Sequence, residues 1–219
     1  MNNQTISNHL LTIGAVALQP TNPFTWSSGL KSPIYCDNRL TMSYPKVRKE
    51  LIREFINLIN LHYPEVTAVA GTATAGIPHA AWVAEALDLP MVYVRSKAKG
   101  HGKGNRIEGR LQEGDRVVVI EDLISTGGSS IQAANALKEE GAHVLGVAAI
   151  FTYGLKRAED LFVEADMPCH TITNFNTLIE EATDLNLREK EMLKEWQKDP
   201  QTWSQQHEVS DTNEKVFKW

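Results

Sequence analysis

The stretch VVVIEDLISTGGSS, residues 117–130, decides how this chain is read. An apolar run ends in two adjacent carboxylates, Glu121 and Asp122, and a Ser-Thr-Gly-Gly-Ser turn then opens a helix. Glycines let the backbone approach a ligand, hydroxyls add donors, and a helix N-terminus offers unpaired N–H groups to an anion. A phosphate monoester suits such a nest. Carboxylates at a strand's C-terminal edge sit where ligands bind in open α/β sheets, and can accept hydrogen bonds from ribose hydroxyls. The bland alternative is a strand–turn–helix joint with Ser129 or Ser130 as its N-cap. Two neighbouring carboxylates repel one another without a ligand or cation, which favours a functional reading. No GxxxxGK[ST] or HExxH occurs, and Gly100, Gly102 and Gly104 do not follow GxGxxG spacing.

Outward from this stretch, short apolar runs alternate with helical patterns, which predicts a mostly parallel sheet covered by helices. The predicted strands are 66–70, 91–95, 116–121, 143–151 and 169–173, with near-continuous hydrophobicity suited to burial on both faces. Predicted helices run over 77–87, 130–140, 155–165 and 177–185. Ahead of the sheet, 45–61 carries Val47, Leu51, Ile52, Phe55, Leu58 and Ile59 at helix spacing. Arg48, Lys49, Arg53 and Glu54 fall on the expected wet face. The N-terminal segment reads as a first helix, since no basic region precedes its apolar stretch. After Pro200 the chain turns polar, as a frayed terminus or a docking strand. Ser96 to Gly109 has no apolar periodicity and is rich in Gly and Lys; such a long loop is functional or disordered.

The net charge of -5 and pI near 5.8 argue against broad nucleic-acid binding. No apolar run approaches the roughly 18–20 residues that span a bilayer. Two cysteines, Cys36 and Cys169, without CxxC spacing read as reduced thiols of a cytoplasmic protein.

VVVIEDLISTGGSS resembles the PRPP-binding motif of the type I phosphoribosyltransferases (PRPP, 5-phosphoribosyl 1-diphosphate). The resemblance implies that family's fold and binding of PRPP with Mg²⁺ carried by the substrate rather than by direct protein ligation. Glu121 and Asp122 would meet the ribose hydroxyls, with Asp122 also catalytic. Leu123 and Ile124 would adjoin PRPP, and Ser125, Thr126, Gly127, Gly128 and Ser129 would cradle its 5′-phosphate. Three more segments are similar to the orotate branch of the family. FTWSSGLKSPIYCDNR (24–39) resembles its hood element, GTATAGIPHA (71–80) stands in the place of its pyrophosphate loop, and VRSKAKGHGKG (94–104) matches its mobile catalytic loop. That loop implies roles for Arg95, Lys99 and His101 against pyrophosphate. Cations aimed at a leaving group that gains negative charge lower the barrier, and a closing lid excludes water. Tyr35, Arg39 and Ser125 would serve orotate. The implied architecture is one domain over 1–219, with a hood over about 1–45, a core over about 46–185, and a C-terminal helix and tail over 186–219. A homodimer sharing the loop across its interface also follows from the resemblance.

The chain departs from the better-known bacterial pattern. Ser27, Ala75 and Ser96 stand where that pattern has lysines, and Tyr153 falls where it has an orotate-contacting arginine. Ser125, Arg39 or Lys31 are the candidates left for the orotate carboxylate. Arg39 has a competing role as an ion-pair partner of Asp37, and Tyr35 as plain packing. His79 reads as structural and Trp82 as core. A purine-salvage enzyme would carry another hood than 24–39, and a PRPP-sensing, nucleic-acid-binding regulator would show a basic face. Neither feature is present in the sequence.

Overall fold

The computed structural model describes residues 3–26, 28–96 and 106–207. In chain order these form α1 (Asn3–Thr12), β1 (Val16–Leu18), β2 (Phe24–Thr25), β3 (Lys31–Ser32) and β4 (Ile34–Cys36). A 3-10 turn (Asn38–Ser43), α2 (Pro45–His62), β5 (Ala68–Thr72), α3 (Gly76–Leu87), β6 (Met91–Val94) and β7 (Ile107–Glu108) follow. Then come β8 (Arg116–Ile124), α4 (Gly128–Glu139), β9 (His143–Thr152), α5 (Lys156–Glu164), β10 (Cys169–Asn174), α6 (Phe175–Glu181), α7 (Leu187–Lys198) and α8 (Pro200–His207).

The central sheet has the order β10-β9-β8-β5-β6-β7, parallel throughout except for the antiparallel edge strand β7. The chain runs one way from β5 to β6 and the other way from β8 to β9 and β10. The order therefore reverses between β5 and β8, and the loops after these two strands diverge there. The alternation of side chains along each strand sorts the core into two layers. Val69, Ile120, Ile150 and Ile172 pack with α1, α2, α3 and α6. Val117, Val119, Val147 and Ala149 pack with α4 and α5. An added Cβ at Gly76 would lie 2.5 Å from the Ile120 carbonyl oxygen, so only glycine lets α3 start this close to β8.

All five predicted parallel strands are present, the first shifted to 68–72. The 177–185 helix ends at Glu181 because Asn186 opens α7 with a capping box to Glu189. Glu54, expected on the wet face of α2, is instead buried: it stands three residues after Leu51 and four before Leu58, within the buried stripe. Trp82, expected in the core, is half-buried, with the Arg48 guanidinium 4.7 Å from its ring centre. Residues 200–207 are neither frayed nor a strand; they form α8, anchored by the buried Trp203. Residues 208–219 lie outside the described residues. No helix among the described residues is long and apolar enough to cross a membrane.

His79 sits in the core between Phe55 and Trp82, and neither ring nitrogen has a hydrogen-bond partner among the described residues. Burial pushes its imidazole down to about 4. The folded value lies below the unfolded one of 6.5, so folding disfavours the charged ring. The stability present above pH 6.5 is lost as pH falls toward 4, by roughly 3 kcal/mol in full. His79→Leu is expected to remove this component. In urea titrations at pH 7.5 and 4.5, the variant's stability should fall by roughly 2–3 kcal/mol less than the wild type's; equal falls would show that His79 does not carry it.

Candidate active site

β8 runs to Ile124, three residues past the predicted end, and this fixes the two carboxylates. Successive residues on a strand point to opposite faces, so Glu121 and Asp122 leave the backbone in opposite directions, although their carboxyl groups remain close enough to interact. Glu121 follows the parity of Val117 and Val119 toward α4. It is 5% exposed, and its Oε2 accepts from the Ser129 and Ser130 hydroxyls at 3.3 Å each. Its Oε1 accepts from the Asp122 N–H at 3.2 Å. Asp122 follows Ile120 toward the N-terminal segment and is half-buried.

The turn after β8 has neither serine as its N-cap. Gly127 takes that position, with φ +79° and no side-chain cap, because the backbone there enters the left-handed region. Both serine hydroxyls are drawn to Glu121 instead. The uncapped start of α4 leaves its first N–H groups available on the Ser125–Ser129 turn.

Opposite this turn, the loop after β5 runs from Ala73 to the start of α3. The Ala73 N–H donates to the Val94 carbonyl at 2.9 Å, and the Ala73–Thr74 peptide is cis. The Thr72 hydroxyl donates to the Ile120 carbonyl at 3.2 Å, tying the two strand ends together.

Ahead of α2, two small antiparallel ribbons, β1 with β4 and β2 with β3, are followed by the 3-10 turn that meets Asp122. Asn38 Nδ2 donates to the Asp122 carbonyl at 2.7 Å; sequence reasoning passed over this residue, since an asparagine between Asp37 and Arg39 carries no separate signal. Tyr35 is half-buried with its ring 5.7 Å from that of Phe24. Burial, then the charge of Asp37, raises its hydroxyl's pKa. The Arg39 guanidinium is doubly bonded to the Asp37 carboxylate, at 2.6 and 3.0 Å. Burial, then Asp122 and Asp37, pushes the Cys36 thiol well up. Tyr153 is 2% exposed and stacks on Trp26 at 5.6 Å. Its hydroxyl is pushed up by burial first, then by Cys36, Tyr35 and Asp122, so these four groups share one neighbourhood.

Arg95 stands at the stem of the long loop, its guanidinium 3.1 Å from Glu108 Oε1. Lys99 and His101 lie outside the described residues. A cleft of about 930 Å³ runs beside the turn, bounded by Trp26, Ser125, Thr126, Arg157 and Gln197.

Residues 46–184, which hold the doubly wound sheet and the acidic turn at its reversal point, match the model of the phosphoribosyl transferase domain, and this places the chain among the phosphoribosyltransferases. The chain is 60% identical over 205 residues to the orotate phosphoribosyltransferase of Halalkalibacterium halodurans, covering 91% of this chain and 98% of that one. It is 60% identical over 201 residues to the Enterococcus faecalis enzyme of the same name, covering 90% and 96%. The crystal structure of orotate phosphoribosyltransferase from Aeropyrum pernix superposes with a TM-score of 0.74 at 28% identity, covering 83% of this chain and 99% of that one. The chain belongs to the orotate phosphoribosyltransferase family.

Burial, followed by the charge and hydrogen bond of Glu121, pushes the Asp122 carboxyl up to about 7. The folded value lies above the ordinary 3.8, so ionising Asp122 opposes folding. The penalty is absent below pH 3.8, grows as pH rises and is complete above about 7. Asp122→Asn should therefore raise the melting temperature at pH 8 and change it far less at pH 4. Thermal melts of both proteins at the two pH values check this; a variant destabilised at pH 8 would contradict it.

Proposed function

We propose that the chain transfers the 5-phosphoribosyl group of PRPP to N1 of orotate, giving orotidine 5′-phosphate and pyrophosphate, a step in making UMP. The observation that carries this reading is the pairing of the 121–129 acid-and-nest turn with the 24–39 hood over one strand end.

In this reading Ser125, Thr126, Gly127, Gly128 and Ser129 take the 5′-phosphate, with Leu123 and Ile124 leading the chain to them. Asp122 accepts from the ribose hydroxyls. Glu121 is engaged with Ser129 and Ser130, which supports a role in holding the nest closed as well as toward the ribose. Tyr35 and Ser125 border the base. Arg39 is the cation for the orotate carboxylate, in exchange with or alongside Asp37. Arg95, Lys99 and His101 serve the pyrophosphate. Little acid–base chemistry is needed, since orotate N1 can ionise, and catalysis rests on positioning and charge stabilisation.

Mg²⁺ fits this donor set. Asp122 is a hard carboxylate at the end of β8, of the kind that suits a hard cation or its water. As the resemblance implies, the ion would be carried on substrate oxygens, with Asp122 as the carboxylate that could hold its water. When bound it supplies neutralisation of the leaving pyrophosphate. The enzyme would work in the cytoplasm, and its two thiols are free.

The decisive experiment mixes purified protein with PRPP, Mg²⁺ and orotate and follows orotate absorbance. Loss of absorbance that requires PRPP and Mg²⁺ is expected. Turnover of adenine or hypoxanthine with none of orotate would overturn the reading.

The loop is proposed to act across a homodimer. Its stem, β6 and β7, lies at the edge of the sheet, where a neighbouring subunit can approach. Mixing Lys99→Ala with Asp122→Asn protein tests this. Random exchange makes about half the dimers hybrid, each with one intact shared site, so roughly a quarter of wild-type activity should return. A loop acting within its own subunit leaves a defect in every site, and no activity would be regained.

A further inference from the structure

The hood hairpin is too small to hold itself. β2 and β3 pair over two residues each, Phe24 with Ser32 and Thr25 with Lys31, and even a full isolated hairpin is at best marginally stable in water. What fixes it comes from the other end of the chain. The Lys31 N–H donates to the Ser204 hydroxyl of α8 at 2.8 Å. Trp26, leaving β2, packs edge-on against Trp196 of α7 at 5.8 Å and stacks on Tyr153 at 5.6 Å. Trp196 is fully buried and meets Tyr153 edge-on at 5.4 Å. Gln197 Nε2 donates to the Tyr153 carbonyl at 2.7 Å, pinning the backbone where β9 leaves the sheet. Hood and α7–α8 also lie outside the 46–184 segment that matches the phosphoribosyl transferase domain.

We infer that α7 and α8 form a buttress that sets the base half of the active site, with Ser204 and Gln197 as positioning residues acting through the 24–32 hairpin and through Tyr153. This rests on the reading above that the hood receives the base. The turn and Asp122 are held chiefly by β8 and α4, through Glu121 and the β8–β9 ladder, so the two halves of the site should respond unequally, the base half more. Loosening the hairpin lets it sample other placements, and the base must then select the competent one, which raises its apparent KM. PRPP binding should hardly change.

The test uses the full chain and measures KM for orotate and for PRPP separately. Ser204→Ala removes the acceptor of the Lys31 N–H and leaves the fold's core side chains in place. KM for orotate should rise about fivefold to tenfold, the effect of losing one buried hydrogen bond, with KM for PRPP within about twofold. Ser204→Thr keeps a hydroxyl and should restore the orotate KM. Gln197→Leu, which cannot donate to Tyr153, should reproduce the split. Equal rises in both KM values, or no change in either with Ser204→Ala and Gln197→Leu, would overturn the buttress. If the wild type instead used another base, the functional reading would fail, while the same split measured with that base would still decide the buttress.

Discussion

A carboxylate buried at the end of a central strand must find its donors inside the protein, and Glu121 finds three: the Ser129 and Ser130 hydroxyls and the Asp122 N–H. A buried carboxylate without such partners would be costly, so these bonds stabilise one geometry of the turn. The turn passes through Gly127 in the left-handed region, and α4 starts with its first N–H groups uncommitted to a side chain. The shape of the Ser125–Ser129 turn and the direction of α4 follow from this inward carboxylate. Topology places the assembly, since the reversal of strand order between β5 and β8 opens the crevice there.

The parallel strands and most helices were legible because their signals are local. Strands buried on both faces read as continuous apolar runs, and helices as 3.6-residue stripes. Errors arose at the ends. Thr72 and Gly71 do not look like strand, yet they carry the β5 ladder beside Ile120. Leu123 and Ile124 pair with Phe151 and Thr152, which the acidic pair before them conceals. The capping box at Asn186 and Glu189 was readable as the start of α7.

The rest was not legible because it depends on distant partners. Pairing of β1 with β4, the Asn38 bond to Asp122 and the Ser204 bond to Lys31 leave no periodic trace. Tyr153 illustrates the difficulty. Alignment to a known pattern marks it as a missing arginine, whereas its ring is the centre of an aromatic stack of Trp26, Phe151 and Trp196. The expectation for Lys99 and His101 rests on motif alone, and both lie outside the described residues.

The contact between the N-terminal hairpin and α8 has a consequence for how such chains can change. Residues 173 positions apart in sequence meet at Lys31 and Ser204, so the 24–32 hairpin and α7–α8 form a single module in space. A graft that moves the hairpin of one relative into another, without its helical counterpart from the far terminus, brings in a hydrogen-bond donor and an indole without their mates. Divergence in either end therefore requires matching drift in the other. Paired substitutions between residues 24–32 and 196–204 are the mark that this constraint should leave across the lineage.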